Sequence, residues 1–477
     1  MSSNSVVRTG KNTIALLAGT VGKMVASFGF VIYATYAMGL EVFGRFSIAL
    51  LYFELFLSLS ATAVGILLTR DLAKWKRSQN RLITSAMVMA LILVLASPLI
   101  MIVFASSMNY SPDTVQAIMV AALALLPASL CVVLESVFVS FERAEFVTFG
   151  TIVDTLIRVP FSILVLYAGF SWIGVMWVLV GSRVLLLVYY RSQLARITSF
   201  RRDFHRKSII RFMSRWRMFA AENWLATINN NTDLLVLSYV AGETAAGLYA
   251  AAYKIVRLGS LVARAYTTAI FPIMSQLHGK AKDSFATLFQ QTIRAMAMVA
   301  LPAVVGISLF TEQTIDFLYA DEYAGAEQVL QVLIWILLVE IINPFLSHAL
   351  FAQNKQNRSM YVAGISMSVN IVLTYLLVFE YGAVGAAAAT VGAGAVATIS
   401  YCCFLMPRRE LLSTTIVFAR VLVATVGFGA VLYLTQNQPL VGRIVMGLAV
   451  YAVLLILIRA VRRQDFVDFK RLVLTRT

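Results

Sequence analysis

Apolar runs long enough to cross a bilayer recur from one end of the chain to the other, each separated from the next by a short charged gap. A hydrocarbon core about 30 Å thick needs about 20 helical residues. Runs of that kind fall roughly at 13–38, 46–68, 82–105, 114–140, 147–167, 171–190, 216–240, 245–275, 285–310, 327–352, 360–380, 383–405, 414–435 and 441–459. The pattern predicts an all-α polytopic membrane protein with fourteen transmembrane helices. The longest polar stretch, about Arg191 to Arg217, reads as a connecting loop.

An internal repeat organises these spans. "YAMGLEVFGRFSIALLY" from Tyr36 aligns without a gap with "YVAGETAAGLYAAAYKI" from Tyr239, an offset of 203. It matches Tyr36 with Tyr239, Gly39 with Gly242, Gly44 with Gly247, Phe46 with Tyr249 and Ala49 with Ala252. Gly174 and Gly181 match Gly385 and Gly392 at an offset of 211. Six helices per repeat is an even number, so the halves run in the same direction, related by an axis along the membrane normal. The expected organisation is an N-terminal six-helix lobe at 13–190, a basic cytoplasmic linker at 191–215 and a C-terminal six-helix lobe at 216–405. Two extra helices at 414–459 and a basic cytoplasmic tail at 460–477 complete it.

Composition agrees with the pattern. The chain has 477 residues, of which 60% are hydrophobic and 13% charged, against about 45–50% and about 25% in soluble domains. The net charge of +16 is not a nucleic-acid footprint, because of where it sits. Outside the spans, 29 Lys and Arg residues fall on one face and one, Arg45, on the other. The positive-inside rule then places both termini in the cytoplasm. The basic N-terminal segment precedes an apolar run longer than a signal peptide's core and is expected to be retained. Cys131, Cys402 and Cys403 lie in apolar spans and form no disulfide or zinc pattern.

"MGLEVFGRFSIAL" and "NNTDLLVLSYVAGETAAGLYAAAYKIVRL" resemble the glycine-dominated signatures that follow the first helix of each half in the polysaccharide transporter family. These are the Wzx-type flippases of the MOP superfamily, which also holds the MATE exporters and the lipid II flippase. The resemblance implies two lobes around a central cavity. It implies a flippase that turns a polyprenyl-diphosphate-linked oligosaccharide from the cytoplasmic to the outer leaflet of the bacterial inner membrane. The product would serve O-antigen, capsule or exopolysaccharide biosynthesis, alongside a polysaccharide polymerase and glycosyltransferases. A cation-coupled MATE-like multidrug exporter and a lipid II flippase are the alternatives, and a membrane scaffold without transport is a third. No Walker motif, nucleophile elbow or metal-ligand cluster is present, and His205, His278 and His348 are scattered, so an enzyme is not expected. No cofactor is expected beyond a Na⁺ or H⁺ gradient, and a monomer is.

Ionisable residues inside spans are costly and mark transport paths. Arg183, Arg294, Arg420 and Arg443 lie near span ends, where a long side chain snorkels to the headgroups. Lys254, Arg257 and Arg264 share the eighth span within an arc of roughly 80°. That face is either a cationic cavity wall for an anionic ligand or a structural network with Glu222, Asp233 or Glu340. Lys23 lies deep in the first span, beside a Gly22 suited to close backbone approach. It is read as a cavity residue or a partner of Glu54. Asp154 and Arg158, spaced i to i+4, line the cavity or pair with each other. Glu54 and Glu135 are salt-bridge partners or protonatable coupling sites.

One polar stretch remains, "TINNNTDLL" at Thr227 to Leu235. Asn230-Asn231-Thr232 satisfies a glycosylation acceptor pattern, but the topology places it near the midplane of the seventh helix. Asn229 and Asp233, spaced i to i+4, would share a face. Asn229 and Asn231 are assigned to sugar or ion contacts and Asp233 to charge balance, with interhelical hydrogen bonding as the alternative.

Overall fold

A computed structural model describes residues 3–75, 78–197, 203–278, 282–353, 355–405 and 408–458. Within these, the side chains of 3–21, Met218, Glu222, 261–278, 282–288, Ala352, Gln356, 408–415 and Val417 lie outside the description.

Backbone satisfaction in a bilayer requires helices, and the described residues form helices and turns with no strand. The order is α1 (Ser3–Leu57), a π-helical turn (Ser58–Thr62), α2 (Ala63–Lys74), α3 (Gln79–Ser106), α4 (Pro112–Ser140), α5 (Ala144–Tyr167) and α6 (Ile173–Ile197). Then come α7 (Arg206–Asn229), α8 (Thr232–Val240), α9 (Gly242–His278), α10 (Lys282–Leu309), α11 (Thr311–Leu318) and a 3₁₀ turn (Asp321–Tyr323). The rest are α12 (Ala326–Leu333), α13 (Ile336–Ala352), α14 (Gln356–Leu405), α15 (Arg408–Leu434) and α16 (Leu440–Leu457). Among the described residues nine helices are long and apolar enough to cross a membrane. The chain is a multi-pass membrane protein. Two of those nine are themselves interrupted, α1 at Gly39 (φ 71°) and α14 at Gly382 (φ 53°). Helix also takes up both ends of the predicted 191–215 loop, since α6 continues to Ile197 and α7 begins at Arg206.

The matched glycines share a backbone feature. Four described glycines have positive φ: Gly39, Gly169, Gly242 and Gly382. Gly39 and Gly242 are the pair matched at an offset of 203, and each precedes the second helix of its half. Gly169 follows α5 and Gly382 splits α14, the corresponding joints further along. Glycine alone takes this conformation without steric cost. The second matched pair behaves alike too: a Cβ on Gly174 would meet the Val165 side chain at 2.8 Å, and one on Gly385 the Leu377 carbonyl oxygen at 2.2 Å.

The chain divides into two compact units. The first comprises Met1–Ala251, Leu318–Tyr323 and Asn370–Ala386. Its core gathers Leu67, Leu68, Ile83, Phe138, Tyr190, Phe212 and Trp216. α7 is held there by the π-helical turn, whose widened backbone leaves carbonyls available. Asn223 donates to the Ser58 carbonyl (3.1 Å) and the Trp224 indole to that of Leu59 (2.9 Å). Beyond the hydrophobic core, Asp71 pairs with Arg215 at 2.9 Å and with Arg70 at 3.4 Å.

The second unit comprises Ala252–Phe317, Ala324–Val369 and Ala387–Thr477. There the helices without a repeat counterpart, α15 and α16, pack on α10 around Phe428, Leu432 and Tyr451. Arg443, expected to snorkel, instead donates from Nε and Nη2 to the Leu432 carbonyl (3.3 and 2.9 Å) and stacks on Phe310 at 4.6 Å. It closes the end of α15, where carbonyls lack helical partners.

Candidate functional site

The interacting charges of the first unit come from four helices, with Asp154 buried, Lys23, Arg158 and Arg183 partly buried and Glu54 exposed. α5 carries Asp154 and Arg158 one turn apart, α6 carries Arg183 and Tyr190, α4 carries Glu135, and α1 brings Lys23 and Glu54. Asp154 is 3.7 Å from Arg158 Nε and 3.6 Å from Arg183 Nη2. Tyr190 donates to Glu135 (3.0 Å). Lys23 is in electrostatic reach of Arg183, Arg158, Asp154 and Glu135, and Glu54 in reach of Arg158. Three cations thus meet three acids. The Asp154–Arg158 pair is one of the two alternatives the spacing offers, and Arg183 joins it from a third position on α6. Gly22 does not serve Lys23 as a contact point, because nothing lies within 4 Å of where its Cβ would be.

Arg183 was read as a snorkelling residue. Its carboxylate partner lies on another helix, and no spacing in the sequence connects the two. Tyr190 was not singled out at all; a tyrosine in an apolar span gives no signal until a carboxylate is beside it.

In the second unit, Arg257 of α9 stacks on Tyr253 at 5.2 Å, and Tyr253 donates to Glu340 of α13 (3.0 Å). An acid therefore approaches the basic face of α9, one of the alternatives drawn from the sequence. Lys254 also takes part in contacts on this helix. Arg264 and Glu222 lie among the side chains outside the described set. α13 and α14 are joined by uncharged groups: Thr398 donates to Asn343 Oδ1 (2.8 Å), and the Ser347 and Ser359 hydroxyls share a hydrogen bond (3.0 Å).

The asparagine stretch departs from expectation in its backbone. It is a break: α7 ends at Asn229, α8 starts at Thr232, and Asn230 and Asn231 are the turn between them. Asn229 and Asp233 thus lie on separate helices and share no helical face. The Asn231 amide donates to the Thr227 carbonyl (2.7 Å) and the Thr232 hydroxyl to that of Ile228 (2.7 Å). Asn231 thereby satisfies α7's last turn, a capping role that competes with ligand contact. Asn229 Oδ1 is buried and accepts no hydrogen bond. Asp233, 4% exposed, accepts from the Leu234 amide (2.9 Å) and from the Tyr249 hydroxyl. Asn370 Oδ1 and Thr374 Oγ1, also in the first unit, are buried without a hydrogen-bond partner.

A second polar cluster missed by the sequence reading gathers around Glu243 at the start of α9. Its Oε1 accepts from the Ser111 amide (2.9 Å), the Ser111 hydroxyl (3.0 Å) and Thr114 (2.6 Å); its Oε2 accepts from Arg45 Nε (2.8 Å). Arg45 also contacts Glu41 and reaches Asp113 at 3.4 Å. Glu322 accepts from the Leu40 amide (3.0 Å), next to the break at Gly39. Arg45 thus joins α1 to the starts of α4 and α9.

Among the described residues no group of three or more His, Cys, Asp or Glu side chains could hold a metal.

Comparison with known proteins gives the family context. Residues 9–278 match the model of the polysaccharide biosynthesis protein family, and residues 219–376 match MatE. The chain is 23% identical over 252 residues to the probable low-salt glycan biosynthesis flippase Agl15 of Haloferax volcanii, covering 50% of this chain and 53% of that one. It is 25% identical over 181 residues to the capsular polysaccharide biosynthesis protein CapF of Staphylococcus aureus, covering 37% and 45%. The chain spans about half the length of the curated relatives it matches. Among solved structures, the lipid II flippase MurJ in an inward closed conformation superposes with a TM-score of 0.79 at 14% identity, over 94% of this chain and 99% of that one. An inward-facing multidrug resistance MATE family transporter of the MOP superfamily superposes with a TM-score of 0.69 at 14% identity, over 82% and 95%. At such identities these two likenesses show the fold.

Proposed function

Since the chain belongs to the polysaccharide biosynthesis protein family, we propose that it is a flippase that carries a polyprenyl-diphosphate-linked oligosaccharide from the cytoplasmic to the outer leaflet of the bacterial inner membrane. The observation that carries this reading is the cluster of Lys23, Arg158 and Arg183 inside a membrane-spanning bundle, with Arg158 and Arg183 20% and 19% exposed. Charge at bilayer depth is costly and is retained where it meets a ligand or a path. Guanidinium and ammonium groups bind phosphate oxygens through charge-assisted hydrogen bonds, and Lys254 and Arg257 on α9 add the same chemistry in the second unit.

In this reading fourteen spans form two parallel six-helix repeats plus α15 and α16, and both termini are cytoplasmic. The matched positive-φ glycines support the repeat. The headgroup moves by alternating access while the lipid tail stays in the bilayer. A polymerase and glycosyltransferases use and supply the substrate, and the protein works as a monomer. Coupling to Na⁺ or H⁺ falls to Asp233, Glu54 or Glu135. Membrane potential helps an anion leave a negative interior by about 2.3 kcal/mol per charge per 100 mV.

The rival is an exporter of organic cations, which the MatE match over 219–376 favours. A deletion strain separates them. Accumulation of lipid-linked oligosaccharide on the cytoplasmic leaflet, restored to normal by the wild-type gene but not by a Lys254→Gln, Arg257→Gln variant at equal protein level, is the expected result. Normal export in the deletion strain, with a gain in sensitivity to cationic drugs, would establish the rival instead.

A further inference from the structure

Three ionisable side chains of the first unit form two long ion pairs that share one carboxylate. Asp154 stands between Arg158 and Arg183, at 3.7 and 3.6 Å, beyond hydrogen-bond length. Asp154 Oδ1, Arg158 Nε and Arg183 Nε are all buried without a hydrogen-bond partner. Buried polar atoms are ordinarily paired, so these three guanidinium and carboxylate atoms retain unused capacity. Access to them is unequal. The Asp154 side chain is 2% exposed, while the arginines are 20% and 19% exposed. The carboxylate is buried while both arginine side chains keep part of their surface open. Of the other acids nearby, Glu135 is engaged by Tyr190, and Glu54 is exposed and acts electrostatically on Arg158. Asp154 is the described carboxylate that bridges both arginines.

We propose that Asp154 is a positioning residue that competes with the anionic headgroup for Arg158 and Arg183. In the empty state it holds the two guanidiniums side by side without committing them. A diphosphate, which meets guanidinium forks bidentately, takes them over, and the carboxylate draws them back as the headgroup leaves. This makes release as favourable as capture, which a carrier needs if it is to turn over. Without the carboxylate, the three cations would outnumber the acids and hold the anion in place. The inference rests on the reading that the transported headgroup carries a diphosphate.

The test uses the full-length protein in lipid nanodiscs, with inorganic pyrophosphate as the probe in a calorimetric titration. Asp154→Asn removes the competing charge and should bind pyrophosphate about tenfold tighter than wild type. Asp154→Glu brings the carboxylate closer to the guanidiniums and should bind about tenfold weaker. Arg158→Gln and Arg183→Gln should lose binding. A purely structural Asp154 would make both Asp154 variants bind more weakly or alike, and that result overturns the proposal. Should Asp154→Asn not fold, the Asp154→Glu affinity decides, with an unchanged value counting against the idea. If wild type binds and Arg158→Gln does not, but neither Asp154 variant shifts the affinity, the competitor role fails while the diphosphate reading stands. If wild type itself takes no pyrophosphate, both fall.

Discussion

Tyr249 donates a hydrogen bond to the buried carboxylate of Asp233, and the positions matched to them at the 203-residue offset are Phe46 and Phe30, which pack edge to face with ring centroids 6.1 Å apart. The repeat has kept the contact and exchanged its chemistry: aromatic packing in the first half, a charged hydrogen bond in the second. Tyr249→Phe should therefore keep the packing and strip Asp233 of a donor. The expected loss is about 1–3 kcal/mol, seen as a lower melting temperature of the purified protein. An unchanged melting temperature would show that the pair is incidental.

Gly44 and Gly247 are also repeat-matched, and they touch. A Cβ on Gly44 would lie 1.9 Å from the Glu243 carbonyl oxygen, and one on Gly247 would lie 2.7 Å from that of Leu40 and 3.2 Å from Gly44 Cα. Small residues allow such approach between membrane helices. Gly44→Ala should be damaging, because its obstacle at 1.9 Å is backbone and cannot rotate away. Folded yield after detergent extraction measures it, with Gly22→Ala as the control, since nothing lies within 4 Å of that position. Equal yields for the two variants would contradict the account.

Glu243 and Arg45 form a partly buried pair at 2.8 Å, with side chains 12% and 19% exposed. The coupling is expected to be about 0.5–3 kcal/mol in a double-mutant cycle of Glu243→Gln and Arg45→Gln, read from thermal unfolding. Strict additivity of the two single changes would mean that the pair contributes nothing beyond its separate contacts.

Arg443 ties α16 to the last carbonyls of α15 and to Phe310 of α10. Arg443→Met keeps much of the side-chain bulk and removes both interactions. Hydrogen exchange in 440–457 should quicken while the helices of the first unit keep their protection. Exchange as slow as in wild type would assign the docking of α16 to Phe428 and Tyr451 alone.

Much of the architecture can be read from the chain because hydrophobic length is a local property. The apolar runs announce helix, though not each helix's limits, and the matched glycines stand out because glycine takes a positive φ without steric cost, as at Gly39 and Gly242. The asparagine stretch marks the edge of that legibility. Its polarity was evident, yet its spacing suggested a continuous helix, and only the folded backbone shows a turn at Asn230 and Asn231 in which Asn231 satisfies its own helix.

Charge is where the two sources of information part. The sequence by itself determined that this chain lies in a membrane as helices and that ionisable residues fall within its apolar runs. Only the tertiary structure decided which of them meet: Asp154 with Arg183 as well as Arg158, Glu135 with Tyr190, Glu243 with Arg45. Membrane insertion follows from the apolar length around each residue, whereas pairing depends on distances of a few ångströms between different helices, and those exist only once the helices have packed.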